Sequence, residues 1–311
     1  MCEVSTPSAF AVVVTYLPDT GVLRDLLDAL LPQTRAVIVV DNTPAPDNRV
    51  ETLCATVAHP ALQLIRLGDN FGIARALNVG IDAALAAGAS HVLLSDQDSL
   101  PAPDMVAALL SAMADLQRSG QRVGAVGPTY TDQHTGITFP FQAWVPGRLF
   151  YGHARPDAAH PTVEAITLIT SGTLIPAAVL RETGPMRDDF FIDNVDIEWS
   201  HRARAAGYAL FGVGKAVMFH RMGEQALRVW YFGWRQESAY SPVRVYYRIR
   251  NFVALCRLRF IPWRWKLRSG WNILGVVYTQ TVFGHHRLTA LRMAARGLWD
   301  GLRGRMGPWR G

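Results

Sequence analysis

The first 130 residues alternate between continuous apolar runs and segments in which apolar residues recur with helical spacing. A continuous apolar run is typical of a strand buried on both faces, and strand–helix alternation favours a parallel sheet flanked by helices. The predicted strands are Phe10–Tyr16, Ala36–Val40, Leu62–Leu67, His91–Leu94 and Val123–Val126. The predicted helices are Gly21–Leu31, Asn48–Ala58, Ile73–Ala87 and Asp104–Gln117.

The pattern changes after residue 130. Residues 130–165 lack clear periodicity and are rich in Pro, Gly and aromatic residues, which indicates a loop region. Short strands are predicted at Thr167–Ser171, Tyr208–Val213 and Ala216–Phe219, and helices at Pro176–Glu182 and Val195–Ala206. Further helices are predicted at Leu227–Gln236, Val243–Leu258, Trp263–Phe283 and Leu288–Leu302. We therefore expect an α/β domain over residues 1–225 and a helical region over residues 226–311.

Charge is distributed unequally between these two parts. Residues 1–214 contain 13 Lys and Arg against 22 Asp and Glu, whereas residues 215–311 contain 18 against three, with seven of the nine tryptophans. A basic region of this kind suits an anionic partner such as phospholipid, polyphosphate or nucleic acid. Arg and Trp interleaved beside the apolar segment Trp271–Gly284 favour an anionic membrane surface over nucleic acid. A solvated helix packed on the first domain is the alternative.

Cysteine usage and the N-terminal segment bear on the compartment. Cys2, Cys54 and Cys256 are scattered and form no disulfide framework or metal-ligand spacing, which fits a reducing compartment. The N-terminal segment lacks the basic start and cleavage site of a signal peptide. Trp271–Gly284 has only about half to two-thirds of the length of a membrane span. These features predict a cytoplasmic protein, peripheral on the inner face of the cytoplasmic membrane.

Polar residues follow the ends of the first four predicted strands. In parallel sheets, ligands bind at the carboxyl ends of the strands, so these polar groups predict a site at one edge. Asp96 and Asp98 leave the fourth strand two residues apart, a spacing at which two carboxylates can share one divalent cation. A turn with solvated acids is the alternative. The Gly68–Arg75 segment joins a strand to a helix and suits an anion, or is an ordinary loop and cap.

A second acidic group surrounds the start of a predicted helix. Helix capping explains one of Asp193, Asp196 and Glu198, but not easily all three. A carboxylate that takes a proton from a hydroxyl group is the function we expect for one of them. His220 follows an apolar strand and is either structural or a metal ligand that completes a site with Asp98.

Taken in order, these segments resemble the family 2 inverting glycosyltransferases with the GT-A fold, and in particular the bacterial rhamnosyltransferases that use dTDP-L-rhamnose. The resemblance covers residues 10 to about 255. Its specific parts are DQDS at 96–99 and FFIDNVDIEW at 190–199. Broader matches are VVVTYLPD, VIVVDNT, LGDNFGIARALNVGI, ITSGTLIP and the YYRIRN segment. The resemblance implies a Rossmann-like mixed sheet flanked by helices, followed by the basic, Trp-rich helical region.

The resemblance also implies site residues. Asp196 matches the catalytic base, although the family has Glu-Asp where this chain has Val195-Asp196, which leaves Asp193 as the alternative. Asp98 and His220 match the ligands of Mg²⁺ or Mn²⁺. The residues implied on the acceptor side are Asp193, Glu198 and Trp199. Those implied for the nucleotide sugar are Thr15, Tyr16, Asp41, Asn70, Gly72, Arg75, Asp96 and Gln97.

The implied reaction is transfer of L-rhamnose from dTDP-L-rhamnose to a hydroxyl of a glycan or lipid-linked glycan, as in cell-surface polysaccharide synthesis. The Gln-x-x-Arg-Trp motif of processive relatives is absent, so we expect one sugar per encounter. Other classes remain open. They are a transferase of another nucleotide sugar such as a UDP sugar, a nucleotidyltransferase, and a non-catalytic protein that binds membranes or polyanions. The oligomeric state is left open by the sequence.

Overall fold

A computed structural model of the chain describes residues 8–132, 138–220, 226–231 and 233–309. Its largest element is a ten-stranded mixed sheet, and two hairpins lie outside it. The strands are β1 (Ala9–Thr15), β2 (Ala36–Asp41), β3 (Leu62–Arg66), β4 (His91–Asp96), β5 (Ser99–Pro101), β6 (Val123–Asp132), β7 (Thr138–Phe139), β8 (Phe141–Ala143), β9 (Gly152–Ala154), β10 (Thr162–Ala165), β11 (Leu174–Pro176), β12 (Ala209–His220), β13 (Ala226–Trp230) and β14 (Trp234–Ser238).

Helices cover both faces of the sheet. They are α1 (Thr20–Leu30), α2 (Arg49–Val57), α3 (Ile73–Ala86), α4 (Met105–Arg118), α5 (Ala177–Thr183), α6 (Val195–Ala205), α7 (Pro242–Arg257), α8 (Trp263–Tyr278) and α9 (Arg287–Arg303). A 3₁₀ turn spans Asp188–Phe190, and a π-helical turn at Thr279–Phe283 continues α8. In the described residues no helix is both long enough and apolar enough to cross a membrane.

The strand order is β10-β12-β6-β11-β4-β1-β2-β3. Strands β4, β1, β2 and β3 are parallel, as the strand–helix alternation predicts, and β6 is parallel to β12. Short β11 runs antiparallel between β4 and β6 and joins the two parallel groups. The expected fold class, an α/β mixed sheet flanked by helices with a GT-A arrangement, is confirmed.

The apolar run of β1 is continuous because the strand is buried on both faces. Phe10, Val12 and Val14 join one apolar cluster, whereas Ala11 and Val13 join the cluster on the other face. Helices α1, α2 and α4 cover the second cluster with their buried apolar faces. The first cluster is covered by α3, α5 and α6, and also by residues of the C-terminal region.

The C-terminal helices pack on the sheet domain through that first cluster. Leu255 of α7, Ile261 between α7 and α8, and Trp265 of α8 are each at most 2% exposed and belong to this cluster. The His201 and Trp265 rings meet edge to face, with centroids 4.7 Å apart. Part of the Trp-rich segment therefore forms core, while the rest stays at the surface.

Two predictions of secondary structure are wrong, and one boundary differs. Residues 167–171 form a loop and not a strand. Leu227–Gln236 was predicted as a helix, but β13 and β14 form an antiparallel hairpin there. Leu227 and Val229 are buried while Arg228 and Trp230 are exposed, which is the two-residue period of a strand. The two strands predicted within 208–219 are one strand, β12, with an irregular register between Val213 and Val217.

Candidate active site

The carboxyl ends of β1, β2 and β4 lie side by side. Thr15 pairs in register with Asp41 on one side of β1, and Val14 pairs with Asp96 on the other. The segments that leave these strands therefore start from one edge of the sheet. The structure brings these strand ends together as the sequence pattern predicts.

Thr15 and Asp41 form a buried polar pair at this edge. The Thr15 hydroxyl donates to Asp41 Oδ1 over 3.1 Å, and the same oxygen accepts the Thr43 backbone N–H at 3.2 Å. Both side chains are buried, whereas Tyr16 is 44% exposed. The buried pair fixes the strand ends, and the Tyr16 ring stays available to a planar ligand group.

Gln97 connects the Asp-Gln-Asp segment to the loop after β1. Its Oε1 accepts the Tyr16 backbone N–H at 2.7 Å, and its Nε2 donates to the Tyr16 carbonyl at 3.2 Å. The carbonyl oxygen and the amino group of the Gln97 side chain therefore both bond to the backbone of Tyr16. Gln97 holds the two loops in a fixed relation, which positions Asp96 and Asp98 beside Tyr16.

Asn70 and Gly72 shape the loop between β3 and α3. Asn42 Nδ2 donates to Asn70 Oδ1 at 3.0 Å, and this oxygen also accepts the Gly72 N–H at 3.0 Å. Gly72 has a φ of 84°, and a Cβ at this position would lie 2.6 Å from Phe191. This close approach requires glycine. The loop therefore contacts the segment that leads into α6.

Arg75 lies in the first turn of α3, and its side chain contacts the segment before α6 instead of the strand ends. Its guanidinium pairs with Asp188 at 3.4 Å. It lines a cleft of about 760 Å³ together with Glu198 and Arg202, and neither Asp96 nor Asp196 is among the residues around that cleft. The nucleotide-binding role that the resemblance implies for Arg75 stays a prediction.

Asp196 lies in the first turn of α6 and faces Asp96 across the site. Its carboxylate accepts the Ile197 backbone N–H at 2.8 Å and is also held by the backbone N–H of Thr170. The two carboxyls are close enough for the charge of Asp196 to raise the pKa of Asp96. They come from elements 100 residues apart along the chain, and the fold alone brings them together.

The loop before β11 connects these two carboxyls. Asp96 donates its backbone N–H to Ser171 Oγ at 3.1 Å, and Tyr130 donates its hydroxyl to the Ser171 carbonyl. Burial, then the charges of Asp96 and Asp196, raise the pKa of Tyr130 well above its usual value. The Tyr130 hydroxyl therefore stays protonated and remains a donor.

The pKa values of the two carboxyls differ from that of an ordinary Asp. Burial raises the pKa of Asp196 to about 6; Asp193 adds to the rise, and the N–H groups of Ile197 and Thr170 oppose it. Burial, then the charges of Asp98 and Asp196, raise the pKa of Asp96 to about 7, although Arg244 opposes this. At neutral pH Asp196 is ionised, yet it is more basic than usual, which suits general-base chemistry.

Asp193 is committed to ion pairs. Its Oδ1 lies 2.7 Å from Arg244 Nη2 and 3.3 Å from Arg248 Nη1, and its side chain is 6% exposed. Asp196, by contrast, has backbone N–H groups as its hydrogen-bond partners in the described part of the chain. Geometry therefore favours Asp196 over Asp193 as the group that accepts a proton.

The segment before α6 has an unusual backbone. Phe191, Asp193 and Asn194 have φ values of 65°, 64° and 64°. Non-glycine residues rarely adopt this conformation, which costs of order 1–3 kcal/mol per residue unless its surroundings enforce it. The backbone strain lies directly beside the candidate base.

Two buried residues of α7 enforce that conformation. Asn251 Nδ2 donates to the carbonyls of Phe190, Ile192 and Asp193 at 3.0, 2.8 and 2.8 Å. Arg250 Nη2 donates to the Phe190 carbonyl at 2.9 Å and to Asn251 Oδ1 at 2.9 Å. The YYRIRN segment thus supports the backbone from which Asp196 projects.

Glu198 and Trp199 face away from Asp96. Glu198 forms a two-bond ion pair with Arg202, at 3.0 and 2.8 Å. Trp199 Nε1 donates to Thr183 Oγ1 at 3.2 Å. Both residues are 2% exposed and connect α6 to the end of α5. Their placement does not support the acceptor-side roles that the resemblance implies for them.

Asp98 and His220 are the predicted metal ligands. The His220 backbone ends β12 and pairs with Ser99, beside Asp98, but its side chain lies outside the described residues. Within the described part no group of three or more His, Cys, Asp or Glu side chains is arranged to hold a metal ion. The grouping of Asp96, Asp98 and Asp196 concentrates negative charge and raises the pKa of Asp96. The Mg²⁺ or Mn²⁺ site implied by the resemblance therefore stays a prediction.

Sequence analysis missed Tyr130 and Arg244. Tyr130 stands at the edge of an irregular region with no motif to mark it. Arg244 was one of many basic residues in a region predicted to face a membrane, yet its ion-pair partner Asp193 lies 51 residues earlier. A contact at that separation has no local pattern in the sequence.

Comparisons with known proteins agree with this geometry. The model of Glycosyl transferase family 2 matches residues 11–161. The dTDP-rhamnosyl transferase RfbF of Shigella flexneri is 27% identical over 303 residues, which cover 97% of this chain and 97% of that protein. Galactofuranosyltransferase GlfT1 of Mycobacterium tuberculosis is 29% identical over 314 residues, covering 96% and 94% of the two proteins.

Solved structures share the fold at low sequence identity. GalNAc-T7, crystallised with UDP, GalNAc and Mn²⁺, has a TM-score of 0.61 at 12% identity over 97% of this chain and 57% of that one. S. aureus TarS 1-349 has a TM-score of 0.54 at 14% identity over 96% and 82%. The sequence motifs, the sheet topology and these similarities agree: residues 11–161 carry a Glycosyl transferase family 2 domain, and the sheet has the GT-A arrangement.

Proposed function

We propose that this glycosyltransferase transfers L-rhamnose from dTDP-L-rhamnose to a hydroxyl of a glycan or lipid-linked glycan, with inversion at the anomeric carbon. The observation that carries the proposal is the pair of half-buried carboxyls, Asp96 at the end of β4 and Asp196 at the start of α6, which the adjacent loop residues Ser171 and Thr170 hold in place. The donor is inferred from the similarity to RfbF along 97% of both chains.

Asp196 accepts the proton of the acceptor hydroxyl in this proposal. The N–H groups of Ile197 and Thr170 orient its carboxylate, so little reorganisation is needed when the acceptor binds. The acceptor oxygen bonds to the anomeric carbon on the face opposite the nucleotide diphosphate, which leaves. Attack from the opposite face inverts the configuration at that carbon.

The donor occupies the edge formed by β1, β2 and β4. Tyr16 contributes an exposed ring beside the buried Thr15–Asp41 pair, where the base and ribose bind. Asp96 has a pKa of about 7, so near neutral pH it can donate or accept a hydrogen bond to the sugar.

Asp98 and His220 would hold Mg²⁺ or Mn²⁺. When bound, such a cation neutralises charge on the leaving diphosphate. The charge of Asp98 raises the pKa of Asp96, and a cation held by Asp98 would relieve that repulsion, which supports this assignment. A structure of the same fold, GalNAc-T7, contains Mn²⁺ together with UDP.

The C-terminal region binds an anionic membrane surface at the cytoplasmic face in this proposal. On α8, Trp263, Leu267 and Leu274 are 58%, 53% and 60% exposed, and their spacing puts them on one face. On α9, Leu288, Leu291, Leu298 and Leu302 form a second exposed row. Apolar rows on helices rich in Arg are typical of interfacial binding.

Galactofuranosyl transfer is the second candidate. It is supported by the 29% identity to GlfT1 over 96% of this chain. The two hypotheses share the fold and the proposed proton acceptor, and they differ only in the nucleotide sugar that fits the donor edge.

Donor binding tests the proposal first. Calorimetry with purified protein would compare dTDP-L-rhamnose, UDP-galactofuranose and other nucleotide sugars, with and without Mn²⁺ or Mg²⁺. We expect saturable binding of dTDP-L-rhamnose that weakens when the metal is chelated. Selective binding of UDP-galactofuranose would support the second candidate, and no binding by any nucleotide sugar would contradict both.

Two variants, one a matched control, test the assignment of Asp98 as a metal ligand. Asp98→Ala removes a proposed ligand, whereas Asp104→Ala removes an exposed acid just before α4. We expect Asp98→Ala to abolish metal-dependent donor binding and Asp104→Ala to preserve it. Equal behaviour of the two variants would contradict the role of Asp98.

Membrane binding is tested separately by vesicle sedimentation. The full chain should bind vesicles that contain phosphatidylglycerol more strongly than vesicles of phosphatidylcholine. A Trp263→Ala, Leu267→Ala double variant should lose most of this binding. Retention of wild-type binding would contradict the membrane role of α8.

A further inference from the structure

A cleft of about 550 Å³ lies between the β13–β14 hairpin, α8 and α7. Its volume is within the range of small-ligand sites, about 300–1,000 Å³. Tyr231 and Arg235 contribute to it from the hairpin, Trp271 and Asn272 from α8, and Arg248 from α7. The cleft thus belongs to the C-terminal region and is distinct from the donor-side edge of the sheet.

Buried hydrogen bonds fix the walls of this cleft. The Tyr231 hydroxyl lies 2.8 Å from Thr279 Oγ1 and donates to the Gly275 carbonyl at 3.0 Å. Gln280 Nε2 donates to the Ser238 carbonyl at 2.9 Å. Thr279 and Gln280 begin the π-helical turn and are both 3% exposed. Single π-turns in helices frequently occur at functional sites. The cleft is therefore a preformed feature of the fold.

Arg248 connects the cleft to the reaction centre. Its guanidinium lies over the Tyr240 ring at 4.3 Å, and its Nη1 is 3.3 Å from Asp193 Oδ1. Its Nε has no hydrogen-bond acceptor within the described part of the chain. Arg248 therefore links the lining of the cleft to the segment that leads into α6 and carries Asp196.

The lining has the chemistry of a saccharide site. Trp271, which is 69% exposed, offers an aromatic face against which the C–H face of a sugar ring can pack. Asn272 offers an amide for hydroxyl groups. Glu237 offsets Arg235 in charge, and Arg248, the other arginine of the lining, is paired with Asp193; this balance favours a neutral polyhydroxy ligand over a polyanion.

We propose that this cleft binds the saccharide portion of the glycosyl acceptor and presents its reactive hydroxyl to Asp196. The inference rests on the proposed function, because it assumes that Asp196 serves a glycan acceptor. It adds the location of the acceptor, on the hairpin and α8, and the residues that recognise it.

Binding of soluble saccharides tests the cleft. The probes are fluorescently tagged di- to tetrasaccharides of bacterial cell surfaces that end in rhamnose, galactose or N-acetylglucosamine, with binding measured by anisotropy on the full chain. Arg235→Ala and Trp271→Ala should each weaken binding of the bound probes at least about tenfold. Trp271 is 69% exposed, so its removal should not disturb folding.

Two controls separate the cleft from its surroundings. Gln236 lies between Arg235 and Glu237 in β14 but does not line the cleft, and Trp263 is an exposed tryptophan two turns earlier on α8. Gln236→Ala and Trp263→Ala should bind the probes like the wild type. The inference would be overturned if the control variants lost probe binding to the same degree as the cleft variants. It would also be overturned if both cleft variants bound the probes like the wild type. Failure of every probe to bind the wild type would overturn it too.

Donor calorimetry on the same variants distinguishes the two proposals. The cleft variants should bind dTDP-L-rhamnose with wild-type affinity, because the donor edge is separate from the cleft. If the variants lose saccharide binding while no nucleotide sugar binds the wild type, the saccharide site stands and the proposed function fails. If the donor binds and the saccharides do not, the proposed function stands and the cleft assignment fails.

Discussion

Arg244 Nη2 lies 2.7 Å from Asp193 Oδ1 and so connects α7 of the C-terminal region to the segment that leads into α6. The same arginine lowers the pKa of Asp96, while Asp193 raises the pKa of Asp196. The Arg244–Asp193 ion pair thus influences the pKa values of both Asp96 and Asp196. The C-terminal region is part of the electrostatics of the reaction centre as well as of its surface.

Replacing Asp193 with Asn should shift the pH dependence of transfer. Asp196 has a pKa of about 6, so activity of the wild type should fall as pH drops through about 6 and the base becomes protonated. Asp193→Asn removes a negative charge that raises this pKa. The acidic limb of the kcat/KM profile should therefore move to lower pH.

Asp189→Asn is the control for that shift. Asp189 lies in the same segment but pairs with Arg187. Removal of the Asp189 charge should leave the acidic limb of the kcat/KM profile at the same pH as in the wild type. An unchanged limb in Asp193→Asn, or a shift toward higher pH, would contradict the electrostatic assignment.

Asp196→Asn should abolish transfer and stabilise the fold at neutral pH. The folded-state pKa of Asp196 is raised above the usual 3.8 to about 6, so ionisation opposes folding at higher pH. The free energy of unfolding of the variant should exceed that of the wild type by about 1–3 kcal/mol at pH 7–8. The difference should disappear below pH ~4, where Asp196 is protonated in both states.

Chemical denaturation at several pH values, together with donor calorimetry, checks this outcome. Donor affinity should be unchanged, since Asp196 is assigned to the acceptor hydroxyl. Retention of full turnover would contradict its role as the base. A stability gain that is independent of pH would contradict the raised pKa.

Gly72→Ala should weaken donor binding more than Gly68→Ala does. Both glycines have positive φ, 84° and 76°, so either alanine costs about 1 kcal/mol or more in backbone strain. At Gly72 the added Cβ would also lie 2.6 Å from Phe191, whereas at Gly68 nothing lies within 4 Å. The difference in donor affinity, measured by calorimetry, isolates the contact with Phe191. Equal affinities would show that this contact does not shape the donor site.

Asn251→Ala should lower kcat and the free energy of unfolding. The buried amide donates to the carbonyls of Phe190, Ile192 and Asp193; its loss removes this donor from all three, and only Phe190 keeps a bond to Arg250. We expect a loss of about 2–4 kcal/mol in stability and a fall in kcat at unchanged donor affinity. Asn48→Ala, at an exposed helix start with no side-chain cap, is the control. A stable Asn251→Ala enzyme with wild-type kcat would contradict a positioning role.

Much of the fold is determined by local patterns in the sequence. The apolar runs of β1, β2 and β4 and the helical spacing of α1, α3 and α4 identified these elements within one or two residues. The hairpin at β13–β14 was mistaken for a helix because its basic, aromatic composition matches the helical stretches that follow it, although the alternation of Leu227 and Val229 with exposed residues is that of a strand. Only packing against the C-terminal helices decides which face of that segment is buried.

The sequence by itself determined the polar groups at the carboxyl ends of the strands and the motifs that resemble the family, because these depend on residue types at short, fixed spacings; it was this resemblance that singled out Asp196 as the candidate base. Only the tertiary structure decided that Arg244 and Arg248 form ion pairs with Asp193. It also decided that Glu198 and Arg75 line the cleft of about 760 Å³, and that Tyr130 contacts the loop beside Asp96. Each of these depends on contacts between residues far apart along the chain. Which partner a charged side chain meets is set by the packing of whole elements, and no local spacing encodes it.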